Sequence, residues 1–345
     1  LKSQSLKVRL RKQFPTLPAE RGRSASPFLG SMISTSWSDW GKPEPVALTP
    51  VSGGLINESF RAEFGSGELL FAQRVNRGVF RDLDAIEQNL ILLSTSPASE
   101  LVVNPFLRRD GGIHDAGGWR IQPWIHEVAQ NAAPYDCGQF WGRFNRLLNE
   151  RPAPWKTVLP DFHSAALRWA QWANVRQMAP LEYSELCTEL EGLAPLFLNL
   201  ESKLMPAVQH HDAKRANMLL SDQGFRAIDL DTLQPGYLGS DFADLVRSMA
   251  AVRAEDDPKG NSAEPETVRE LWDGYVNGWP EAAVHEDTVS LMPAYLSWVQ
   301  ALRFATDAAN GSTYYRIDYP EHNWVRAQNQ LELVRSLLKL TRFTV

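Results

Sequence analysis

Cysteine is scarce. Cys137 and Cys187 are the only two among 345 residues, too few for the disulfide framework of a small secreted domain, and neither has Cys or His partners at zinc-finger spacing. Long hydrophobic runs are missing too. No apolar stretch nears the roughly 20 residues needed to cross a bilayer, and none of signal-peptide length follows the basic N-terminal residues. Together these absences imply a reducing, aqueous compartment, the cytoplasm by default, and no membrane partner. An excess of positive charge is also lacking: 35 Lys and Arg against 41 Asp and Glu give a formal charge of -6. A general nucleic-acid binder, which needs a concentrated basic face, is therefore not expected.

What the chain does have is core-forming material, with 43% hydrophobic residues, 12 Trp and 15 Phe. Its length suits two ordinary domains. The charge is unevenly spread. Residues 1–31 hold Lys2, Lys7, Arg9, Arg11, Lys12, Arg21 and Arg23 against Glu20 alone, a charge of +6 that leaves -12 for the remainder. The first Met is Met32. The head reads as an upstream extension, a disordered tail or an organellar targeting segment, and residues 1–45 are set apart as a basic, disordered extension.

From residue 46 the pattern is that of strands: Val46 to Val51, a turn at Gly53-Gly54, Asn57 to Phe64, then Leu69 to Val75. Asp82 caps a helix over 82–94, in which Leu83, Ile86, Leu90 and Leu93 recur at helical spacing. Residues 101–107 and 119–125, flanking Asp110-Gly111-Gly112, predict a second hairpin. From about residue 136 long helical stretches dominate (136–149, 161–178, 181–204, 286–309), interrupted by short β-like runs over 207–231. The expected fold class is α+β, with a small β-rich lobe (46–125) followed by a larger, mainly helical lobe (126–345).

The chemistry concentrates in 208–231. His210-His211-Asp212 is followed by Asn217, a tight turn, and an apolar run ending Ile228-Asp229-Leu230-Asp231. This is the order of a kinase catalytic loop and its metal-binding strand. One carboxylate, Asp212, accepts or orients the proton of the attacking hydroxyl. The amide oxygen of Asn217 and the carboxylate of Asp229, with Asp231 as a further candidate, hold Mg²⁺ against the nucleotide phosphates. Lys214 is placed to meet the γ-phosphate, and His210 to hold the loop backbone. In the first lobe, the 52–59 segment, with Gly53, Gly54 and Asn57, can lay backbone N–H groups over phosphates. The third strand should carry a lysine for the α- and β-phosphates, yet offers Gln73-Arg74. Glu87, on the following helix, is the candidate partner for whichever of the two points inward.

These residues resemble the aminoglycoside phosphotransferase and choline kinase superfamily, whose members share a protein-kinase-like two-lobed fold. Within it, Gly54-Leu55-Ile56-Asn57, Gln73-Arg74-Val75-Asn76, Asp161-Phe162-His163, Ile228-Asp229-Leu230-Asp231-Thr232 and Asp241-Phe242-Ala243-Asp244 are similar to segments of the N-acetylhexosamine 1-kinases. So are Leu302-Arg303-Phe304-Ala305-Thr306-Asp307, Tyr314-Tyr315 and Tyr319-Pro320-Glu321-His322-Asn323. The match spans about 46–337 and leaves the basic head outside. It implies ATP- and Mg²⁺-dependent transfer of the γ-phosphoryl group to the anomeric hydroxyl of an N-acetylhexosamine, and a family tolerance of Gln-Arg where protein kinases have Lys. Ala243 and His211 depart from the family's more usual residues.

Sugar recognition needs polar groups for ring hydroxyls and an aromatic face for the ring. Arg303, Asp307, Tyr314, Tyr315, His322 and Trp324 supply such a set, with His211 beside the base. Backbone around Gln122, Trp124 and Ile125 is expected to bond adenine. Two rival readings stand: a catalytically silent nucleotide-binding module, motivated by the missing lysine, and a metal-dependent glycosyltransferase or hydrolase using His210, His211, Asp212, Asp229 and Asp231. The latter predicts a parallel nucleotide-binding sheet.

Overall fold

Alternating burial along three short runs builds the first sheet of the computed structural model, which describes residues 35–51, 56–128 and 132–340. The basic head up to residue 34 and the turn expected at Gly53 and Gly54 lie outside the described residues. Strands β1 (Ala47–Pro50), β2 (Glu58–Glu63), β3 (Leu69–Arg74) and β4 (Trp119–Pro123) pair antiparallel in that order. Ala62, Leu70, Ala72, Trp119 and Ile121 point to one face, where they bury with Phe64, Trp37 and Trp40. The opposite face, by the strict two-residue period of a strand, carries Ser59, Arg61, Phe71, Gln73, Arg120 and Gln122.

Trp37 and Trp40 correct the boundary drawn at residue 46. They occupy one 3₁₀ turn (Trp37–Trp40) that is buried against the sheet, with Trp37 edge-on to Phe64 at 5.5 Å between ring centres. Two indoles removed from water make residues 36–41 part of the first lobe rather than of a disordered head.

Helix α1 (Leu83–Ser94) begins where expected, its first turn capped by Asp82, which accepts from the Ala85 amide at 2.9 Å. The second hairpin does not form. Residues Pro97–Leu101 make a 3₁₀ turn and the segment after it joins no ladder with β4 beyond a single bond from the Phe106 amide to the Ile121 carbonyl. Instead Val102 bridges Ala227 in parallel and Val103 donates to the Ala227 carbonyl at 3.3 Å. This segment is drawn away from the first sheet because it spans to the second lobe.

That lobe is helical: α2 (Pro134–Asn149), α3 (Ala165–Val175), α4 (Ser184–Glu201), α5 (Ser240–Met249), α6 (Pro265–Gly278), α7 (Met292–Ala309) and α8 (His322–Leu338). Helices α2 and α6 cross at backbone contact. A Cβ at Gly142 would stand 2.2 Å from the Tyr275 carbonyl oxygen, and one at Gly278 would stand 2.3 Å from that of Gln139, so only hydrogen fits there. Between the helices lie two small antiparallel pairs, β5 (Pro206–Gln209) with β8 (Gln234–Tyr237), and β6 (Met218–Ser221) with β7 (Gly224–Ala227). The molecule is thus of mixed α+β class with its β-rich part first. No sheet among the described residues is parallel, against the glycosyltransferase reading. No helix among them is long and apolar enough to cross a membrane.

Candidate active site

β5 ends by delivering the loop that carries Asp212. The Asp241 carboxylate, wholly buried in the first turn of α5, accepts from the backbone amides of His210 at 2.9 Å and His211 at 2.7 Å. Its own amide donates to Gln209 Oε1 at 2.8 Å. His210 Nδ1 lies 3.2 Å from the Asp212 amide that donates to it, which leaves Nε2 as the N–H directed at the Ile228 carbonyl, 2.9 Å away. His211 takes φ 64°, a left-handed conformation costly for a residue with a Cβ and sustained here by those surrounding bonds.

The strained loop thereby presents Asp212 to two partners. Lys214 Nζ is 2.7 Å from Asp212 Oδ2, and Asn217 Nδ2 donates to the same oxygen at 2.8 Å and to the Asp212 carbonyl at 2.9 Å. The amide nitrogen of Asn217 is spent in this way, so its oxygen is the atom left to offer a cation.

β7 leads to Asp229, again left-handed at φ 58°. Burial first, then the charges of Asp231 and Asp212, push the Asp229 carboxyl above its ordinary range. A carboxylate held among like charges favours a bound cation, and the Asp229 carboxylate and the Asn217 amide oxygen are hard oxygens of the kind Mg²⁺ selects. The residues fit a divalent ion completed by nucleotide phosphates. Among the described residues no cluster of three or more His, Cys, Asp or Glu could hold a metal unaided.

Asp231 stands differently from expectation. It is 1% exposed, and both its oxygens are engaged: Oδ2 accepts from Asn57 Nδ2 at 2.8 Å, and Oδ1 from Arg120 Nη1. It clasps the first sheet to the segment bearing Asp229 instead of offering a free ligand. Asn57 in turn accepts from the Asn76 amide at 2.9 Å, so its side chain ties loop, sheet and second lobe together.

The register settles which of Gln73 and Arg74 faces inward. Gln73 pairs with Ser59 on β2 and Arg120 on β4; its Nε2 donates to Ser59 Oγ at 3.2 Å and its Oε1 accepts from Arg120 Nη2. Arg74 points the other way with a side chain 51% exposed, 3.6 Å from Glu58 and donating to the Gly117 carbonyl. Glu87 reaches neither. Its carboxylate accepts from the His114 ring and from the amides of His114 and Ile113, at 2.9–3.1 Å. Those bonds, the ring contact foremost, hold its pKa down at about 2.

Gln122 lines one narrow cleft with Arg120, Asp229, Leu90 and Val103. Beyond it the Trp124 amide donates to Leu69 at 3.3 Å, and its ring lies 6.4 Å from Phe71 and 5.9 Å from the Arg61 guanidinium. Ile125, next in the chain, is half-buried.

The acceptor set divides. Arg303 on α7 lies between aromatic faces, 6.0 Å from the Phe162 ring centre and 5.7 Å from that of Tyr315. Tyr314 is 42% exposed and edge-on to Tyr315 at 4.8 Å. Phe162 adjoins His163 at 4.5 Å, and His163 adjoins His211 at 5.2 Å, so this aromatic group backs onto the loop that carries Asp212. Asp307 is not a free sugar ligand. It accepts from the amides of Thr313, Tyr314 and Tyr315 and from Asn323 Nδ2, all at 2.8–2.9 Å, and so shapes the loop that presents the tyrosines.

His322 and Trp324 pack elsewhere than on the loop that carries Asp212: His322 stacks on Tyr319 at 4.5 Å and Trp324 on Tyr183 at 4.4 Å. His211 is buried, its Nε2 3.2 Å from the Gln234 carbonyl, and burial draws its pKa down to about 4. Its ring fills the space a Cβ at Gly236 would need, which is a packing role. Behind it Asp244 faces Arg247 at 3.2 Å and His163 at 3.9 Å, and burial raises its carboxyl to about 7.

Arg120 is the residue the sequence reading missed. The signal was present: in Trp119-Arg120-Ile121-Gln122 the strand period puts Arg120 on the same face as Gln122, and therefore opposite Gln73.

Residues 47–285 match the model of the family described as "Phosphotransferase enzyme family". Among solved structures, a choline/ethanolamine kinase family protein from Mesorhizobium loti is 18% identical, with 89% of this chain and 95% of that one covered and a TM-score of 0.59. An aminoglycoside phosphotransferase from Alicyclobacillus acidocaldarius is 15% identical over 92% and 98% of the two chains, at a TM-score of 0.55. An amicoumacin kinase in complex with AMP-PNP, Ca²⁺ and its ligand Ami is 13% identical over 86% and 91%, also at 0.55. At these identities the likeness shows the fold: the protein-kinase-like arrangement of a sheet-bearing first lobe and a helical second.

Proposed function

The chain belongs to the phosphotransferase enzyme family, and we propose that it is an ATP- and Mg²⁺-dependent small-molecule kinase acting on a sugar, at the anomeric hydroxyl of an N-acetylhexosamine. The observation that carries the reading is the convergence of Lys214 and Asn217 on one oxygen of Asp212, at 2.7 and 2.8 Å, on the loop that Asp241 pins in place. Asp212 orients the acceptor hydroxyl and takes its proton as the new O–P bond forms and the bond from the γ-phosphorus to the β–γ bridging oxygen breaks, ADP leaving with that oxygen. Lys214, freed from Asp212 by a shift of its flexible stem, meets the charge on the transferred phosphoryl group.

Asp229 and the Asn217 oxygen would hold Mg²⁺, which would supply charge neutralisation at the nucleotide phosphates. The first lobe, reaching back to Ser36, binds the nucleotide, with Gln122 to Ile125 beside adenine and the segment around Gly53 and Gly54 over the phosphates. Catalysis then rests on positioning and electrostatics. The intact acid and amide set supports an active enzyme over a silent module.

For the acceptor, Arg303 between Phe162 and Tyr315, with Tyr314 beside them, supports a ring lying against aromatic faces with a guanidinium for its hydroxyls. The free state of Cys137 and Cys187 accords with a cytoplasmic, reducing setting. The test is ATP turnover against a panel of sugars with phosphorus NMR of the product. An anomeric phosphate from an N-acetylhexosamine is expected. A phosphate on the primary hydroxyl alone breaks the 1-kinase reading, and no ADP formation with any sugar or other small alcohol breaks the kinase reading.

A further inference from the structure

We infer that Arg120 on β4 supplies, from the neighbouring strand, the phosphate-facing cation that β3 lacks. The inference rests on the phosphotransfer reading above. The other cations are placed for other tasks: Arg74 faces away from the cleft toward Glu58, Arg61 lies over the Trp124 ring, and Lys214, beside Asp212, serves the transferred γ-phosphoryl group and not the α- and β-phosphates. Arg120 stands across from Gln73, the position where the lysine was sought, and lines the same cleft as Asp229 and Gln122.

Its guanidinium is fixed as well as placed. Nη1 donates to Asp231 and Nη2 to Gln73, while the residue is 4% exposed. A guanidinium has five N–H groups, so the second hydrogens of Nη1 and Nη2 remain beyond those two bonds, while Nε is buried without a partner. The positive charge is balanced by Asp231 in place of the helix glutamate, because Glu87 is consumed by His114 and Ile113. Gln73 explains itself in the same way. A lysine there would set a second cation against Arg120, whereas the glutamine accepts from it. The Gln-Arg departure on β3 is therefore a relocation of charge by one strand, not its loss.

The experiment is equilibrium binding of adenosine, AMP, ADP and AMP-PNP, with Mg²⁺, to the wild-type protein and to Arg120→Lys, Arg120→Gln and the paired variant Arg120→Gln/Asp231→Asn. The paired variant removes both charges while keeping polar groups able to bond, so folding does not depend on a stranded carboxylate. The loss of affinity is expected to grow with the number of phosphates, from less than about twofold for adenosine to about 10–100-fold for AMP-PNP, the range of one charge-assisted contact. Arg120→Lys should recover most of it. An equal loss for adenosine and AMP-PNP would reduce Arg120 to a structural clasp and overturn the inference, as would unchanged AMP-PNP affinity in the paired variant. Failure of the wild-type protein to bind any nucleotide would instead sink the kinase reading on which the inference stands.

Discussion

Asn57 and Asp231, 174 residues apart in the chain, are joined by a 2.8 Å hydrogen bond from Nδ2 to Oδ2. The bond links the start of β2 to the segment bearing Asp229, so the two lobes are held in register by a side chain that also accepts from the Asn76 amide. Asn57→Ala removes both contacts. It is expected to lower stability by about 1–3 kcal/mol, and hydrogen exchange at the Asn76 amide should accelerate more than exchange in α7. Unchanged protection at Asn76 would show that the clasp does not form.

Glu87 sits where a kinase places the partner of its lysine, but its bonds go to Ile113 and His114. Glu87→Ala should therefore cost about 3 kcal/mol of stability, since hydrogen bonds to a charged acceptor are lost, while nucleotide affinity in the folded protein changes less than about threefold. Denaturant unfolding and nucleotide titration separate the two effects. A large loss of affinity at preserved stability would return Glu87 to the conventional role.

His211 gives stability a pH dependence of definite sign. Burial lowers its pKa from 6.5 to about 4, so between those values the unfolded chain binds a proton that the folded protein refuses. Stability contributed by the neutral ring is full above about 6.5 and is lost as pH falls toward 4, by up to about 3 kcal/mol. Asp244 runs the other way, because its carboxyl is raised to about 7 and its protonated form favours the fold as pH falls. The difference between wild type and His211→Asn isolates the histidine: in urea melts from pH 7.5 to 4.5 the wild type should lose more stability than the variant. A parallel pair of curves would contradict a buried, neutral His211.

The α2–α6 crossing predicts a sharp steric penalty. Gly142→Ala drives a methyl to 2.2 Å from the Tyr275 carbonyl, and the helices must separate. A loss of about 3 kcal/mol, at the upper end for overpacking, is expected in thermal and denaturant unfolding, whereas Gly192→Ala on α4, with nothing near its missing Cβ, should not destabilise the fold.

How much of this was legible beforehand follows the range of the interactions. Strand alternation, the Asp82 cap and the spacing of Asp212, Asn217 and Asp229 are local signals, and they gave the three strands, α1 and the catalytic segment. Residues whose bonding partners no periodic pattern reveals have roles that composition does not show. Asp307 looked like a sugar ligand until its carboxylate was found holding the amides of Thr313 to Tyr315. Asp231 looked like a metal ligand until Arg120 and Asn57 were found on it. The strand expected over 101–107 was drawn off by Ala227 in the other lobe. Trp37 and Trp40 were assigned to a disordered head because no periodic run surrounds them; their burial depends on a sheet face formed by residues 62–121. In each case composition and period report what a residue is able to do, and the tertiary partner decides which of those things it does.

The central claim is that Asp212 handles the acceptor hydroxyl in a nucleotide-dependent phosphoryl transfer. The most direct measurement is the turnover of Asp212→Asn with the best sugar of the panel, alongside the equilibrium affinity of the same variant for AMP-PNP. The account predicts a fall in turnover of about a thousandfold, within the range of a lost general base, with nucleotide affinity within about twofold of wild type. Turnover retained at the wild-type level would contradict it.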